Sequence, residues 1–180
     1  MAIEVFNRRE NKFLMEEPSI YSLTTRLEEY MELDSSNKQH EFYTISNIYY
    51  DTPDNQIIRN SLAKPKYKEK LRLRGYGVPG KNDLVYFEIK KKVCGLVNKR
   101  RTSICLGDAY QFAETGQQPE YRPYMNRQVI NEIAYFMNCY RPESKLYLAY
   151  DRLAFFGVDA PGLRVTFDTN IRTRRYDLAL

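Results

Sequence analysis

The stretch Lys66 to Tyr76, KYKEKLRLRGY, decides the fold. Its cations stand at alternate positions, Lys68, Lys70, Arg72 and Arg74, with Leu71 and Leu73 interleaved. In an extended strand successive side chains point to opposite faces, so the four charges line one face and the leucines the other. Like charges two residues apart on a strand sit roughly 6.7 Å apart, which costs about 0.6 kcal/mol per pair in water and about 2.5 kcal/mol at an effective dielectric of 20. Such a row is tolerable in solvent, but inside a fold it needs an anion. An outer strand that uses lysines to discourage edge-to-edge aggregation has the same alternation, so the neighbouring segments must decide.

They repeat the pattern. In VYFEIKKK, Glu88, Lys90 and Lys92 share a face opposite Phe87 and Ile89; in VNKRRTS, Lys99 and Arg101 share a face while Arg100 falls on the other. In LRVTFD, Arg164, Thr166 and Asp168 lie opposite Leu163, Val165 and Phe167. Each segment has one apolar and one ionic face. The ionic faces are mainly cationic and carry few of the acids that an ordinary solvated surface mixes in. They also use arginine, whose rigid fork matches phosphate oxygens, where plain solubility is served as well by Lys and Glu. Together they point to a highly charged ligand, a chain of phosphates above all.

The chain has 180 residues and a net charge of +5, with six cations between Lys64 and Arg74 and six more between Lys90 and Arg101, so the whole-chain number understates the local field. One domain spanning 1–180 is the economical organisation. Cys94, Cys105 and Cys139 show neither an even count nor a CxxC spacing, which argues against a disulfide framework or a structural zinc. The single histidine, His40, reads as a solvated loop residue, and zinc-hydrolase or Ser-His-Asp chemistry loses its usual base. No apolar signal core opens the chain and no stretch is long enough to span a bilayer, so a soluble, cytoplasmic protein is expected. Sixteen tyrosines beside the cations raise nucleic-acid binding as an alternative. No RNP-type motif and no GxxxxGK[ST] loop accompanies them.

Alternation predicts strands at Glu4–Met15, Phe42–Tyr50, Tyr67–Tyr76, Leu84–Lys92, Val97–Leu106, Lys145–Phe156 and Leu163–Asn170, with a shorter one at Arg172–Tyr176. Turns fall at Gly77–Asp83 and around Gly95. Helical spacing predicts Pro18–Met31 and Tyr124–Tyr140, the latter stopped by Arg141-Pro142, with short helices at Asp54–Leu62 and Asp108–Thr115. The class is therefore α+β, an antiparallel β-barrel or strongly curved sheet with helices packed outside. Two E-x-K triplets, Glu10-Asn11-Lys12 and Glu88-Ile89-Lys90, place a carboxylate beside an ammonium on one strand face. That pairing suits a hard cation bridged to a phosphate, and it equally makes a weak same-face ion pair.

In order, FNRRENKFLM, SNIYYDTPDN, SLAKPKYKEKLRLRGYG, VYFEIKKKVCGLVNKRR, LYLAYDRLAFF and LRVTFDTNIRTR resemble the VTC domain, the polyphosphate polymerase domain of the vacuolar transporter chaperone family. That family belongs to the triphosphate tunnel metalloenzymes, with the CYTH phosphatases and RNA triphosphatases. The resemblance implies a tunnel lined with Lys and Arg, carboxylates that hold Mn²⁺ or Mg²⁺, and transfer of the ATP γ-phosphoryl group onto a growing polyphosphate chain. Metal-dependent triphosphate hydrolysis or plain polyphosphate or RNA binding are the alternatives. By matching segment, Arg72, Arg74, Lys90, Arg152 and Arg164 resemble the catalytic cations, and Lys12 and Lys99 resemble substrate-binding ones. Strand parity adds Lys68, Lys70 and Arg101 to the substrate-binding set. The family pattern continues past Leu180 with a strand carrying a metal-binding glutamate, so an incomplete barrel is expected, and Glu10, Glu88 and Asp168 are the remaining metal candidates.

Overall fold

The structure, a computed structural model, describes residues 10–35, 37, 41–94, 96–160 and 162–180. Its elements run α1 (Glu17–Leu27), β1 (Met31–Leu33), β2 (Tyr43–Asp51), α2 (Gln56–Leu62), β3 (Tyr67–Tyr76), β4 (Leu84–Val93), β5 (Leu96–Cys105), α3 (Leu106–Thr115), α4 (Arg127–Tyr140), β6 (Glu143–Gly157) and β7 (Arg164–Arg174). This is the expected α+β class, an antiparallel sheet with four helices among the described residues. Two compact units share it: the larger holds Ser46–Leu148 and Thr173–Leu180, the smaller the described part of Arg9–Ile45 with Ala149–Arg172. Their boundaries fall inside β2, β6 and β7.

In the larger unit the strand order is β6, β2, β3, β4, β5. The apolar parity of β3 to β5 does what alternation demands: Leu71, Leu73, Val85, Phe87, Ile89 and Ile104 are all essentially inaccessible. They pack on Ile57 of α2, Ala109 and Phe112 of α3, and Val129, Ile130, Ile133 and Met137 of α4. Fully burying one such side chain is worth about 1.5–3 kcal/mol. Helix α4 forms where its apolar stripe is framed by stop signals. Asn126 accepts the Val129 N–H at its start, and Arg141 takes a left-handed φ of 44° ahead of Pro142 at its end. Between β3 and β4, Gly77 supplies the positive φ of 66° that the turn needs.

The smaller unit pairs β1 antiparallel with the end of β6, Met31 opposite Gly157 and Leu33 opposite Phe155. Its core is Met31, Leu153, Phe155 and Phe167, against which Ile20, Leu23 and Leu27 of α1 pack. Helix α1 ends at Leu27, short of the expected Met31, because Met31 is buried as a strand residue. The expected strand over Glu4–Met15 is not found in its described part: residues 10–15 are irregular, and Phe13 and Leu14 are 83% and 103% exposed. Three apolar residues in succession leave that segment no single face to bury. The two strands expected over 163–176 are one, β7, which passes through Asn170 at φ 50° because asparagine tolerates that conformation. His40 lies outside the described residues. The three cysteines are free, and no helix among the described residues is long and apolar enough to cross a membrane.

Phe87 is fully buried between the Tyr50 ring, 5.6 Å away, and the Phe112 ring, 6.0 Å away. Phe87→Ala is expected to lower stability by about 3–5 kcal/mol in denaturant titration. A loss below about 1 kcal/mol would show that this face is not packed as described.

Candidate functional site

The register of the three central strands of the larger unit turns the sequence alternation into rows. Lys70, Lys90 and Lys99 stand directly opposite one another across β3, β4 and β5. The next row is Arg72, Glu88 and Arg101; the one beyond is Arg74, Tyr86 and Ser103. On the other side Lys68 faces Lys92 and Val97. On these three strands one face therefore gathers Lys68, Lys70, Arg72, Arg74, Lys90, Lys92, Lys99 and Arg101 around the single carboxylate Glu88. Ammonium groups at the inter-strand spacing would repel by about 3.5 kcal/mol at an effective dielectric of 20, a cost that splaying of the side chains reduces. Lys70 and Lys90 have no ion-pair partner among the described residues.

Glu88 is 1% exposed. Its Oε2 accepts from Arg72 Nε at 2.6 Å and lies 2.5 Å from Nη2, while Lys99 Nζ stands 2.7 Å from Oε1. Burial alone pushes the Glu88 pKa up; the charges of Arg72, Arg74 and Lys99 overcome it and hold the carboxyl at about 2. Lys99 is pulled the other way. Burial lowers its pKa, Glu88 raises it, Arg72 and Arg74 lower it again, and the ammonium ends at about 8.

The two arginines are further held by neutral groups from β2. Arg72 Nη1 donates to the Tyr49 hydroxyl at 3.1 Å, and Arg74 Nε donates to Asn47 Oδ1 at 2.9 Å, Asn47 being anchored in turn on the Leu148 carbonyl. Sequence reasoning passed over Asn47 and Tyr49, although they share one parity of SNIYYD opposite Ile48 and Tyr50. Arg101 lies with its guanidinium 4.5 Å from the Tyr86 ring centre, and Lys68 donates to the Ser61 carbonyl at 3.1 Å.

Five expected residues lie in the smaller unit. Arg152 makes a fork-to-fork pair with Asp168, both contacts at 2.7 Å, and Arg164 Nη2 meets Asp34 at 3.0 Å. Asp168 is thus the partner of an arginine. Glu10 and Lys12 are exposed and 3.8 Å apart. A further carboxylate that sequence reasoning missed, Asp151, accepts from Thr44, Asn170 and both terminal nitrogens of Arg172. The Arg172 contacts lead in holding its pKa well below the usual range. No group of three or more His, Cys, Asp and Glu side chains stands together among the described residues. Each expected metal carboxylate faces a cation: Glu10 faces Lys12, Glu88 faces Arg72 and Lys99, and Asp168 faces Arg152.

The family model of the VTC domain matches residues 7–180. The chain belongs to the VTC domain family. A comparison with curated proteins returns no match. Among solved structures, a Bacillus halodurans protein provisionally described as an adenylate cyclase is similar at 13% identity and a TM-score of 0.49, over 87% of this chain and 77% of that one. In this VTC domain the cationic face of β3 to β5 is the feature that sets the candidate site apart from the charge-matched pairs of the smaller unit.

The depressed Glu88 pKa makes the fold acid-sensitive in a defined window. The folded state binds fewer protons than the unfolded one between about pH 4.5 and 2, so the stability due to Glu88 is full above the unfolded value and lost as pH falls through that interval. Glu88→Gln is expected to flatten the loss of stability between pH 4.5 and 2 in acid titrations. An equally steep loss would show that Glu88 is not held ionised by its neighbours.

Proposed function

We propose that the cationic face of β3 to β5 binds a linear phosphate chain and that the protein transfers the γ-phosphoryl group of ATP onto growing polyphosphate. The observation that carries this reading is the row of Lys70, Lys90 and Lys99, three ammonium groups set opposite one another with one buried carboxylate nearby. A polyanion with charges repeated along a line relieves that repulsion along the whole strip. Membership of the VTC domain family supports the same ligand class.

The chemistry asks little of the protein beyond positioning and charge. A terminal oxygen of the acceptor chain forms a bond to the γ-phosphorus while the bond from that phosphorus to the β,γ-bridging oxygen breaks, and ADP leaves with the electron pair. No side-chain nucleophile is needed. Arg72 and Arg74, aimed by Tyr49, Asn47 and Glu88, offer fixed guanidinium charge to the equatorial oxygens. Lys70, Lys90 and Lys99 offer ammonium groups that follow the chain. A divalent cation enters this reading with the phosphates.

Two tests follow from the geometry. Lys70→Ala/Lys90→Ala removes repelling charges that have no ion-pair partner among the described residues, so thermal stability is expected to hold or rise slightly while tripolyphosphate affinity falls at least tenfold in calorimetry at fixed salt. Unchanged affinity would reject the strip as the site. Incubation of the native protein with labelled ATP is expected to lengthen a polyphosphate primer, and release of inorganic phosphate alone would assign hydrolysis.

Lys99 adds a pH signature. Its pKa of about 8 means that the free protein loses this charge early, whereas a bound phosphate chain favours the protonated form. Native affinity for tripolyphosphate is therefore expected to fall relative to that of Lys99→Arg, which stays charged, as pH rises from 7 to 9.5. A constant ratio across that range would show that Lys99 does not meet the ligand.

A further inference from the structure

The cationic strip is not uniform along its length. At one end stands the ammonium row of Lys70, Lys90 and Lys99; two residues on come the guanidiniums of Arg72 and Arg101; two residues further the row closes with Tyr86 beside Arg74, and Tyr76 follows on the same parity. The aromatic end is organised. The Tyr76 and Tyr86 rings meet edge to face, 5.9 Å apart and 89° between planes, and the Arg101 guanidinium lies 4.5 Å from the Tyr86 ring centre. Tyr76 is nevertheless 44% exposed, and Tyr86 and Arg101 are half-buried. Burial in a core therefore does not account for this group of rings and guanidinium.

We infer that the strip has a direction: the Tyr76, Tyr86 and Arg101 end takes the nucleobase of the donor nucleotide, and the Lys70, Lys90 and Lys99 end takes the phosphate chain. The inference rests on the phosphate-binding reading above and adds to it a base subsite and its place. Aromatic rings and guanidinium planes are the surfaces on which nucleobases stack, through their π-faces and without a need for edge-specific hydrogen bonds. Four strand residues separate the aromatic row from the ammonium row, roughly 13 Å, which an extended nucleoside triphosphate can bridge. Its phosphates then cross the Arg72 and Arg74 forks on the way. Stacking is stronger for purines than for pyrimidines, so the subsite favours ATP over UTP without reading the base edge.

The experiment is calorimetric titration of tripolyphosphate, ATP and UTP into the native protein, Tyr76→Leu and Tyr76→Leu/Tyr86→Leu, at one fixed salt concentration. The native protein is expected to bind ATP several-fold more tightly than UTP. In the double variant ATP affinity falls about tenfold, the ATP preference disappears, and tripolyphosphate affinity stays within about twofold. Tyr76→Leu, at an exposed position, shows the same selective loss in smaller degree and guards against misfolding of the double variant. Retention of the ATP preference by both variants, or a loss of ATP and tripolyphosphate affinity in equal proportion, overturns the base subsite and leaves the phosphate strip standing. A native protein that binds none of the three ligands overturns the phosphate strip and the base subsite together.

Discussion

Glu88 is the constraint around which the larger unit is arranged. Three adjacent strands bring eight cations to one face, and a sheet carrying that charge with no internal counter-ion would be pushed apart at its centre. A carboxylate with 1% exposure answers the problem at the middle row, gripped by Arg72 from one strand and Lys99 from the other. Its own desolvation is costly, and only several cations acting together keep it ionised. The compensation is partial. One carboxylate neutralises one charge, so the strip keeps a large positive excess, and the two arginines are steadied by a hydroxyl and an amide oxygen that fix their aim without cancelling their charge.

The same sequence runs supply both the excess and its opposite. In KKK and KRR, consecutive cations are divided by the pleat. Lys91 and Arg100 turn to the helix side, where both pair with Glu132 of α4. Lys90, Lys92, Lys99 and Arg101 turn to the strip. In the smaller unit a third arrangement holds: Arg152, Arg164 and Arg172 each meet an aspartate, Asp168, Asp34 and Asp151. A guanidinium matched one to one with a carboxylate keeps little net charge for an approaching anion, whereas Glu88 is shared by Arg72 and Lys99 and leaves that pair a net positive charge. Arginine content by itself therefore does not locate an anion site; the local balance of arginine and carboxylate does.

That balance also marks how far the sequence could be read. Strands β3, β4 and β5 were legible to within a residue because Leu71, Leu73, Val85, Phe87, Ile89 and Ile104 alternate with ionic residues and share one buried face, which leaves a single register that buries them. The rows followed from parity. The acids Asp34 and Asp151 were not legible as partners, since each is remote in sequence from the arginine it meets and nothing in local periodicity reports a long-range pair. Asn47 and Tyr49 were hidden for a related reason: neutral acceptors leave no charge signature. The irregular course of residues 10–15 and the merging of two expected strands into β7 turn on what the segment can bury and on one asparagine's tolerance of positive φ, both weak signals in sequence.

On the proposed reading, the split between lysine and arginine along the strip has a mechanical meaning. A growing polymer must advance by one phosphate at each transfer, so the groups that hold its body must accept the same ligand in successive registers. Ammonium groups on flexible stems are point charges with little directional demand, and a chain of identical phosphates presents them the same field after every step. The reacting phosphate needs the opposite treatment. Rigid forks pinned by Glu88, Tyr49 and Asn47 cannot follow the polymer, and for that reason they define one position along the strip where charge developing on the transferred group is met without rearrangement. A loosely held chain and a tightly held reaction point are compatible because they are built from different cations on neighbouring rows of the same sheet.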